Sequence, residues 1–415
     1  MLTPPALPAH LPERPTLTLP QPSTRPRPAA TRPGWPLLLV VAAVALNLRP
    51  AIAAVPPLLN VIQAGLGLSA TGAGLLTALP VVCMGVFAPV GAALGRRVGR
   101  ETAVSCALVL VACGTLVRGL GESVATLYGG TLVAGVGIAM GGALLPGVVK
   151  AWFPDRAGAV TGLYTAGLVA GAMLASAATV PLSHVLGGWP AAIAAWGLLA
   201  VAALVAWVPA TRRLRATAEP PAPGRLRLPW GSGVAWRITL YMGSQSLLYY
   251  AALTWLSPLY LAAGWSASRA GLLLGLFSLT QIFSALAVPA LVDRTGDHRP
   301  WVALCVGTAT ATLAAVGLVP TAAPWAWAAL LGLGVGGMFA LALTMLVKQA
   351  STPAAAARLS GMVLLVGYLI AATGPVLAGA VYDAVGSYRA PFLMLAGIGV
   401  GTLAVGVSVR PSARI

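Results

Sequence analysis

The 23 residues WAWAALLGLGVGGMFALALTMLV, at positions 325–347, contain no charged side chain and end immediately before Lys348. As an α-helix they would be about 35 Å long. Roughly 20 apolar residues in a helix are enough to cross the hydrocarbon core of a bilayer. This stretch therefore predicts a membrane-spanning helix, and the rest of the chain repeats its pattern.

Eleven further apolar runs of suitable length follow one another along the chain, separated by polar breaks. Hydrophobic residues make up 58% of the sequence and charged residues 8%, whereas about 25% of the residues of a soluble domain are charged. Composition and pattern together predict an all-α integral membrane protein with twelve transmembrane helices. The other predicted runs are 37–60, 72–94, 102–117, 124–149, 159–180, 189–208, 238–261, 270–292, 301–319, 359–381 and 391–409.

Lysine and arginine are concentrated in every second break, and this pattern orients the chain. If the N-terminus is cytoplasmic, 21 of the 25 basic residues lie on that side, and Arg49 lies inside the first run. Cytoplasmic loops carry such an excess of positive charge. We therefore expect a multi-pass protein of the inner (plasma) membrane with both termini cytoplasmic. The three basic residues of the outer side are Arg118, Arg269 and Arg389.

The breaks also divide the chain into segments. Residues 1–34 contain ten prolines and no long apolar run, which predicts a disordered cytoplasmic tail and not a secretory signal. The longest internal break, 210–235, carries five arginines. We expect a cytoplasmic linker there, between an N-terminal six-helix bundle at 35–209 and a C-terminal six-helix bundle at 236–415.

The two halves resemble each other at a constant spacing. Arg97 and Gly99 match Arg294 and Gly296 at an offset of 197 residues, and Lys150 matches Lys348 at 198. Six helices per half make such repeats parallel, so a pseudo-two-fold axis along the membrane normal is expected. Carriers built in this way bind substrate near the midplane, between the halves.

A short loop after the eighth run carries a family resemblance. The sequence Asp293-Arg294-Thr295-Gly296-Asp297-His298-Arg299 resembles the signature between helices 2 and 3, and again 8 and 9, of the major facilitator superfamily. The resemblance implies the major facilitator fold. In the first half Arg96 stands at the acidic position, a departure from the signature. The gating-loop residues implied by the resemblance are Arg97, Gly99, Asp293, Arg294 and Gly296.

Three other stretches resemble, more narrowly, the cyanate permease and 2-nitroimidazole exporter family. They are Asn47-Leu48-Arg49-Pro50, the segment from Leu145 to Arg156, and Thr161-Gly162-Leu163-Tyr164-Thr165. This resemblance implies alternating access and a small polar or anionic substrate, such as a cyanate-like anion or a nitrogen heterocycle. Import and export both occur in that family.

Arg49 is the main candidate for substrate contact. It lies about 18 Å along the first helix from Leu37, near the bilayer middle, where an arginine costs about 2.5–3.5 kcal/mol. One interpretation is that it binds an anion or dipole in a central cavity. The other is a structural charge satisfied by backbone carbonyls or amides, beside a kink at Pro50. The eight acidic residues all lie in the tail, in loops or at helix ends, so no buried partner is evident.

Uncharged polar and aromatic residues at similar depth are further candidates, since amides and phenols can hydrogen-bond a small solute. Each could equally join helices to one another. Asn47 and Gln245 stand at equivalent places, 198 residues apart. The candidates are Asn47, Tyr164, Gln245, Tyr249, Tyr250, Gln281 and Tyr368.

Several other functions are weighed against a carrier. No HExxH motif, paired carboxylates or nucleophile triad supports a membrane enzyme, and no catalytic residue, metal or cofactor is expected. The four cysteines lie in apolar runs and are read as small buried hydrophobes. Two parallel repeats favour one cavity per chain over a channel, and a functional monomer is expected. No basic and aromatic patch supports nucleic-acid binding. An exporter of a neutral organic substrate remains the alternative.

Overall fold

The computed structural model describes residues 35–120, 123–212, 228–410 and 412. Within these ranges the chain forms helices joined by short turns, without a strand. The predicted tail at 1–34 and most of the predicted linker at 210–235 lie outside the described residues.

Each predicted run corresponds to a helix or, for the first run, to a series of short helices. The N-terminal bundle consists of α1 (Trp35–Asn47), α2 (Pro50–Ala53), α3 (Leu59–Leu66), α4 (Ala70–Val98), α5 (Arg100–Gly119), α6 (Val124–Trp152), α7 (Ala157–Val185) and α8 (Trp189–Arg212). The C-terminal bundle consists of α9 (Gly233–Ala262), α10 (Ala267–Thr295), α11 (Arg299–Leu318), α12 (Pro324–Lys348), α13 (Pro353–Val385) and α14 (Arg389–Ser408).

Eleven of the twelve spans are long and apolar enough to cross a membrane by length and composition alone, the first of them being the whole stretch Trp35–Leu66. The remaining helix, α9, is 30 residues long but includes Gln245, Tyr249 and Tyr250. Most of its side chains are buried within the protein, so its polar groups are covered by neighbouring helices and not by lipid. Its polarity is therefore compatible with a twelfth span at the centre of the bundle.

The first span is broken by its prolines. Pro50 has no backbone N–H to continue the helix from α1, and a second interruption follows at Pro56 and Pro57, which form a 3₁₀ turn before α3. Arg49 occupies the cap between α1 and α2. The break gives Arg49 a position that a continuous helix would not provide.

Small residues hold the broken span against its neighbour. Gly167 and Gly171, one turn apart on α7, pack on the α1 backbone, and a methyl group added at Gly171 would collide with the carbonyl oxygen of Leu46. On α6, a methyl group at Gly137 would lie 2.6 Å from the carbonyl oxygen of Ala107. These glycines allow the backbones of neighbouring helices to approach closely, as expected where helices associate without water.

The cysteines differ in part from the expectation. Cys83 and Cys305 are buried, but Cys106 and Cys113 are exposed on α5. The prediction of four buried thiols is therefore wrong for two of them, because an apolar run does not reveal which helix face meets lipid and which meets protein.

The two bundles meet closely at the face of the protein where α4 begins and α13 ends. We call it the opposite face, because it lies opposite the end of α4 that carries Arg96 and Arg97. The Asp383 carboxylate accepts the backbone N–H groups of Ala70 and Thr71 at 2.8 Å each, and the Thr71 hydroxyl at 2.6 Å. It thereby caps α4 from the other bundle, where a negative charge suits the helix dipole. The bundles also approach closely at Gly74 and Pro375, between α4 and α13, and at Gly271 and Ser176, between α10 and α7. The opposite face is therefore closed.

If the protein alternates between two states, as the family resemblance implies, it has to break this contact to open the opposite face. We predict that a short bifunctional thiol cross-linker will join Thr71→Cys to Asp383→Cys in a background without native cysteines, and that the joined protein will not transport. Each single-cysteine variant treated with the same reagent is the control. Full transport by the cross-linked protein would contradict the assignment of this contact as a moving closure.

Candidate substrate site

Arg49 lies midway through the first span. It is the fifteenth of the 32 residues of Trp35–Leu66, and its backbone angles are φ −109° and ψ −32°. The side chain is deep in the protein yet keeps some accessible surface, as expected for a group that faces an internal cavity. This agrees with the depth predicted from the sequence.

Three tyrosines of the C-terminal bundle surround the guanidinium group. Arg49 Nη1 donates a hydrogen bond to Tyr250 Oη at 3.2 Å, and its Cζ lies 6.0 Å from the centre of the Tyr249 ring. Tyr368, on α13, lies near the same side chain. The Tyr249 contact is at the outer limit of a cation–π interaction. We call these four residues the arginine–tyrosine cluster.

The cluster joins the two bundles at the same depth. The Tyr250 hydroxyl also lies 3.6 Å from Met84 Sδ on α4, and Tyr249 packs on Phe277 with ring centroids 6.0 Å apart. Met84 is the middle residue of the 29 in α4. Its contribution was not predicted, since a methionine in an apolar helix gives no sequence signal.

No carboxylate among the described residues lies within ion-pair distance of Arg49, and its hydrogen-bond partner there is an uncharged phenol. A phenol can accept one hydrogen bond here, but a guanidinium offers five donors in a planar fork. The cluster therefore combines a fixed positive charge with aromatic walls, which suits a small planar ligand that has acceptor atoms.

The other candidates lie outside this cluster. The Asn47 amide donates to Ala43 O in its own helix at 2.8 Å, and Gln245 Nε2 is 2.6 Å from Ser246 Oγ. Gln281 Nε2 donates to Phe277 O at 3.2 Å, while Tyr164 is half-buried against the core of the N-terminal bundle. These residues take part in local contacts, and their ligand role stays a prediction.

The gating-loop residues are at the face where α4 ends and α13 begins, called here the basic face. Gly99 and Gly296 both have positive φ, 88° and 73°, which favours glycine at each place. Asp293 forms an ion pair with Lys348 at 2.7 Å. The equivalent positions in the first half are Arg96 and Lys150, two like charges that cannot form this pair. The departure from the signature thus removes an ion pair from one half.

A cavity of about 470 Å³ lies apart from the cluster, near the basic face between α1, α6 and α7. It is lined by Leu38, Trp152, Leu163 and the segment 153–156. Its walls are largely apolar, and it lies within one bundle. A site that alternates between the two faces has to contact both bundles, which the cluster does.

Two six-helix bundles, closed on one face around a deep cationic and aromatic cluster, define a membrane transporter of the alternating-access type. The chain belongs to the Major Facilitator Superfamily, whose sequence pattern matches residues 37–374. This membership and the transporters related to it exclude an enzyme. The superfamily resemblance proposed from the loop sequence is confirmed.

Three bacterial relatives match most of the chain. An uncharacterized transporter of Bacillus subtilis, YycB, is 36% identical over 359 residues, which cover 85% of this chain and 88% of the relative. The 2-nitroimidazole transporter of Escherichia coli is 35% identical, covering 87% and 91%. The cyanate transport protein CynX of Escherichia coli is 33% identical, covering 90% and 97%. The narrower family resemblance is also confirmed.

Solved structures support the fold. A bacterial homologue of the human lysosomal transporter Spinster, in an inward-facing and occupied conformation, superposes with a TM-score of 0.76 at 15% identity, covering 89% of this chain and 95% of its own. The nucleoside transporter NupG gives a TM-score of 0.74 at 11% identity, covering 90% and 99%.

The hydrogen bond between Arg49 and Tyr250 generates a stability prediction. Tyr250→Phe leaves a buried cation without its acceptor, and we expect a loss of about 1–2 kcal/mol in the free energy of unfolding. The loss should disappear in an Arg49→Ala background, because no charge is then left unpaired. Unfolding measurements in detergent on the double-mutant cycle check this coupling.

Tyr260→Phe is the matched control, since it removes a hydroxyl from the same helix. Tyr260 Oη donates a hydrogen bond to Pro320 O at 3.0 Å, and this bond does not involve Arg49. The effect of Tyr260→Phe should be the same with and without Arg49. If the loss of unfolding free energy caused by Tyr250→Phe is also the same with and without Arg49, the hydrogen bond between Arg49 and Tyr250 does not contribute to stability.

Proposed function

We propose that this transporter carries a small polar or anionic solute, and that Arg49 binds an acceptor group of that solute within the arginine–tyrosine cluster. Substrates of the kind named for its relatives, cyanate and 2-nitroimidazole, fit this proposal. Both are small, and each presents oxygen or nitrogen acceptors to a guanidinium fork.

The observation that carries the proposal is that the charge of Arg49 has few polar partners within the protein. Its one hydrogen bond among the described residues is to an uncharged phenol, and no carboxylate there neutralises it. A charge at this depth is costly unless it is paired. A bound anion, or a strong dipole such as a nitro group, would complete the pairing in a cavity reached from alternate faces.

Other candidates would take part as the cavity changes shape. Gln281 and Tyr164 keep accessible surface on α10 and α7, two helices that pack against each other across the bundles. We propose that Asn47, Tyr164, Gln245 and Gln281 contact the solute in other states of the cycle, and that Tyr249 and Tyr368 form its aromatic walls.

Arg49→Ala tests the proposal directly. We expect the affinity for cyanate or 2-nitroimidazole to fall at least about tenfold, because a hydrogen bond to a charged group contributes roughly 1.5–3 kcal/mol. The melting temperature should change little, since removal of an incompletely paired buried charge need not destabilise. Arg49→Lys keeps the charge but not the fork and should restore binding only in part.

Binding and melting have to be measured on the same purified sample. An Arg49→Ala protein that is well folded and binds with unchanged affinity would refute the substrate role. A sharp fall in melting temperature, with normal binding by the remaining folded fraction, would support the structural interpretation of Arg49 instead.

We further propose that the basic face is cytoplasmic, that the protein lies in the inner (plasma) membrane as a monomer, and that it does not bind nucleic acid. The distribution of 21 of 25 basic residues supports this orientation. With the opposite face closed, the described state then faces inward. The two six-helix bundles supply one complete cavity per chain.

A cysteine in the linker tests the orientation. Ala216→Cys, in a background without native cysteines, should resist a membrane-impermeant thiol reagent in intact cells and react after the cells are opened. Ala263→Cys, in the turn between α9 and α10, should show the reverse. Labelling of the Ala216→Cys variant from outside intact cells would overturn the orientation.

A further inference from the structure

The second buried arginine, Arg118, lies in the last turn of α5. The charge pattern places it among the basic residues of the outer side, but in the structure its side chain is completely buried. The charge pattern predicts only the side of the membrane on which Arg118 lies, and it does not report that the side chain turns inward from its helix end. Gly130 on α6 leaves room for it, since a methyl group there would lie 2.7 Å from Arg118 Cγ.

Arg118 contacts the broken first span. Its Nη1 donates a hydrogen bond to the carbonyl oxygen of Ala51 at 2.6 Å. Ala51 lies in the four-residue helix α2, two residues after Arg49. Arg118 Nε and Nη2 have no partner among the described residues, so no ion pair there accounts for burying this charge.

The carbonyl of Ala51 needs a donor from outside its own helix. The N–H of Ala54 bonds to Pro50 O at 2.9 Å, and the N–H of Val55 bonds to Ile52 O at 3.4 Å. The next two residues, Pro56 and Pro57, have no N–H. A buried carbonyl without a donor is unfavourable in a membrane, and Arg118 supplies that donor. Similarly, Ser176 Oγ on α7 reaches Ala53 O at 3.4 Å.

We propose that Arg118 is a positioning residue for the substrate site: by binding Ala51 O it fixes α2, and thereby the place and direction of Arg49. The functional part of this inference rests on the proposed function of Arg49. The positioning itself does not, because it concerns the order of α2. Arg118 lies on α5, and no residue of α5 belongs to the arginine–tyrosine cluster.

The test compares Arg118→Met, which fills space without a donor, with Arg118→Lys, which can still donate to Ala51 O. Two properties are measured on each purified protein: amide hydrogen exchange in residues 51–55 and the affinity for 2-nitroimidazole. Melting temperature is recorded alongside. Ser176→Ala is the matched control, since it removes the longer bond to the neighbouring carbonyl of Ala53.

We expect Arg118→Met to lower the melting temperature only modestly, because the loss of the donor to Ala51 O is offset by the removal of an unpaired buried charge. Exchange in 51–55 should accelerate at least about tenfold, and affinity should fall about tenfold, since a misplaced guanidinium binds less well. Arg118→Lys should restore both properties in large part. Ser176→Ala should change both much less.

Unchanged exchange in 51–55 in Arg118→Met would overturn the inference, and so would faster exchange with unchanged affinity. A large fall in melting temperature in both Arg118 variants, with normal affinity of the folded fraction, would indicate a structural role alone and also overturn it. The two proposals can fail separately. If Arg49→Ala binds 2-nitroimidazole with normal affinity, the proposed function is wrong. Amide exchange in residues 51–55 would still show whether Arg118 orders α2.

Discussion

A guanidinium group near the middle of a bilayer is the constraint on which this structure depends. Arg49 cannot lose its proton there and cannot reach either surface, so the protein has to provide partners at that depth. The partners come from the other bundle, with Tyr250 within hydrogen-bond distance and Tyr249 and Tyr368 nearby. A charge on one bundle is thus partly satisfied by phenols on the other, and the two halves meet at this point.

The break in the first span places Arg49 beside a segment whose carbonyl groups need donors from other helices. Pro50, Pro56 and Pro57 interrupt the helix and leave carbonyl groups that the backbone does not satisfy. Side chains on α5 and α7 supply donors to those carbonyls. These hydrogen bonds connect the broken segment, which carries Arg49, to the neighbouring helices.

Much of this architecture could be predicted from the sequence, since helices that meet lipid must satisfy their backbone internally and must be long and apolar. Span 325–347 is found as Pro324–Lys348, and the offset near 198 residues relates Gly99 and Gly296, which both have a positive φ. Side-chain direction was not predictable. The Asn47 and Gln245 amides serve local bonds, Arg118 turns inward, and Asp383 caps a helix of the other bundle. Each depends on long-range packing, which hydropathy and charge counts do not report.

An experimental structure with 2-nitroimidazole bound would show whether the substrate contacts Arg49. We expect the ligand between α1 and α4 on one side and α9 and α13 on the other. Its nitro group or ring nitrogen would lie within hydrogen-bond distance of the Arg49 guanidinium, with the ring against Tyr249 or Tyr368. A ligand held away from Arg49, for example in the cavity beside Trp152 and Leu163, with Arg49 still bonded to Tyr250 alone, would contradict this expectation.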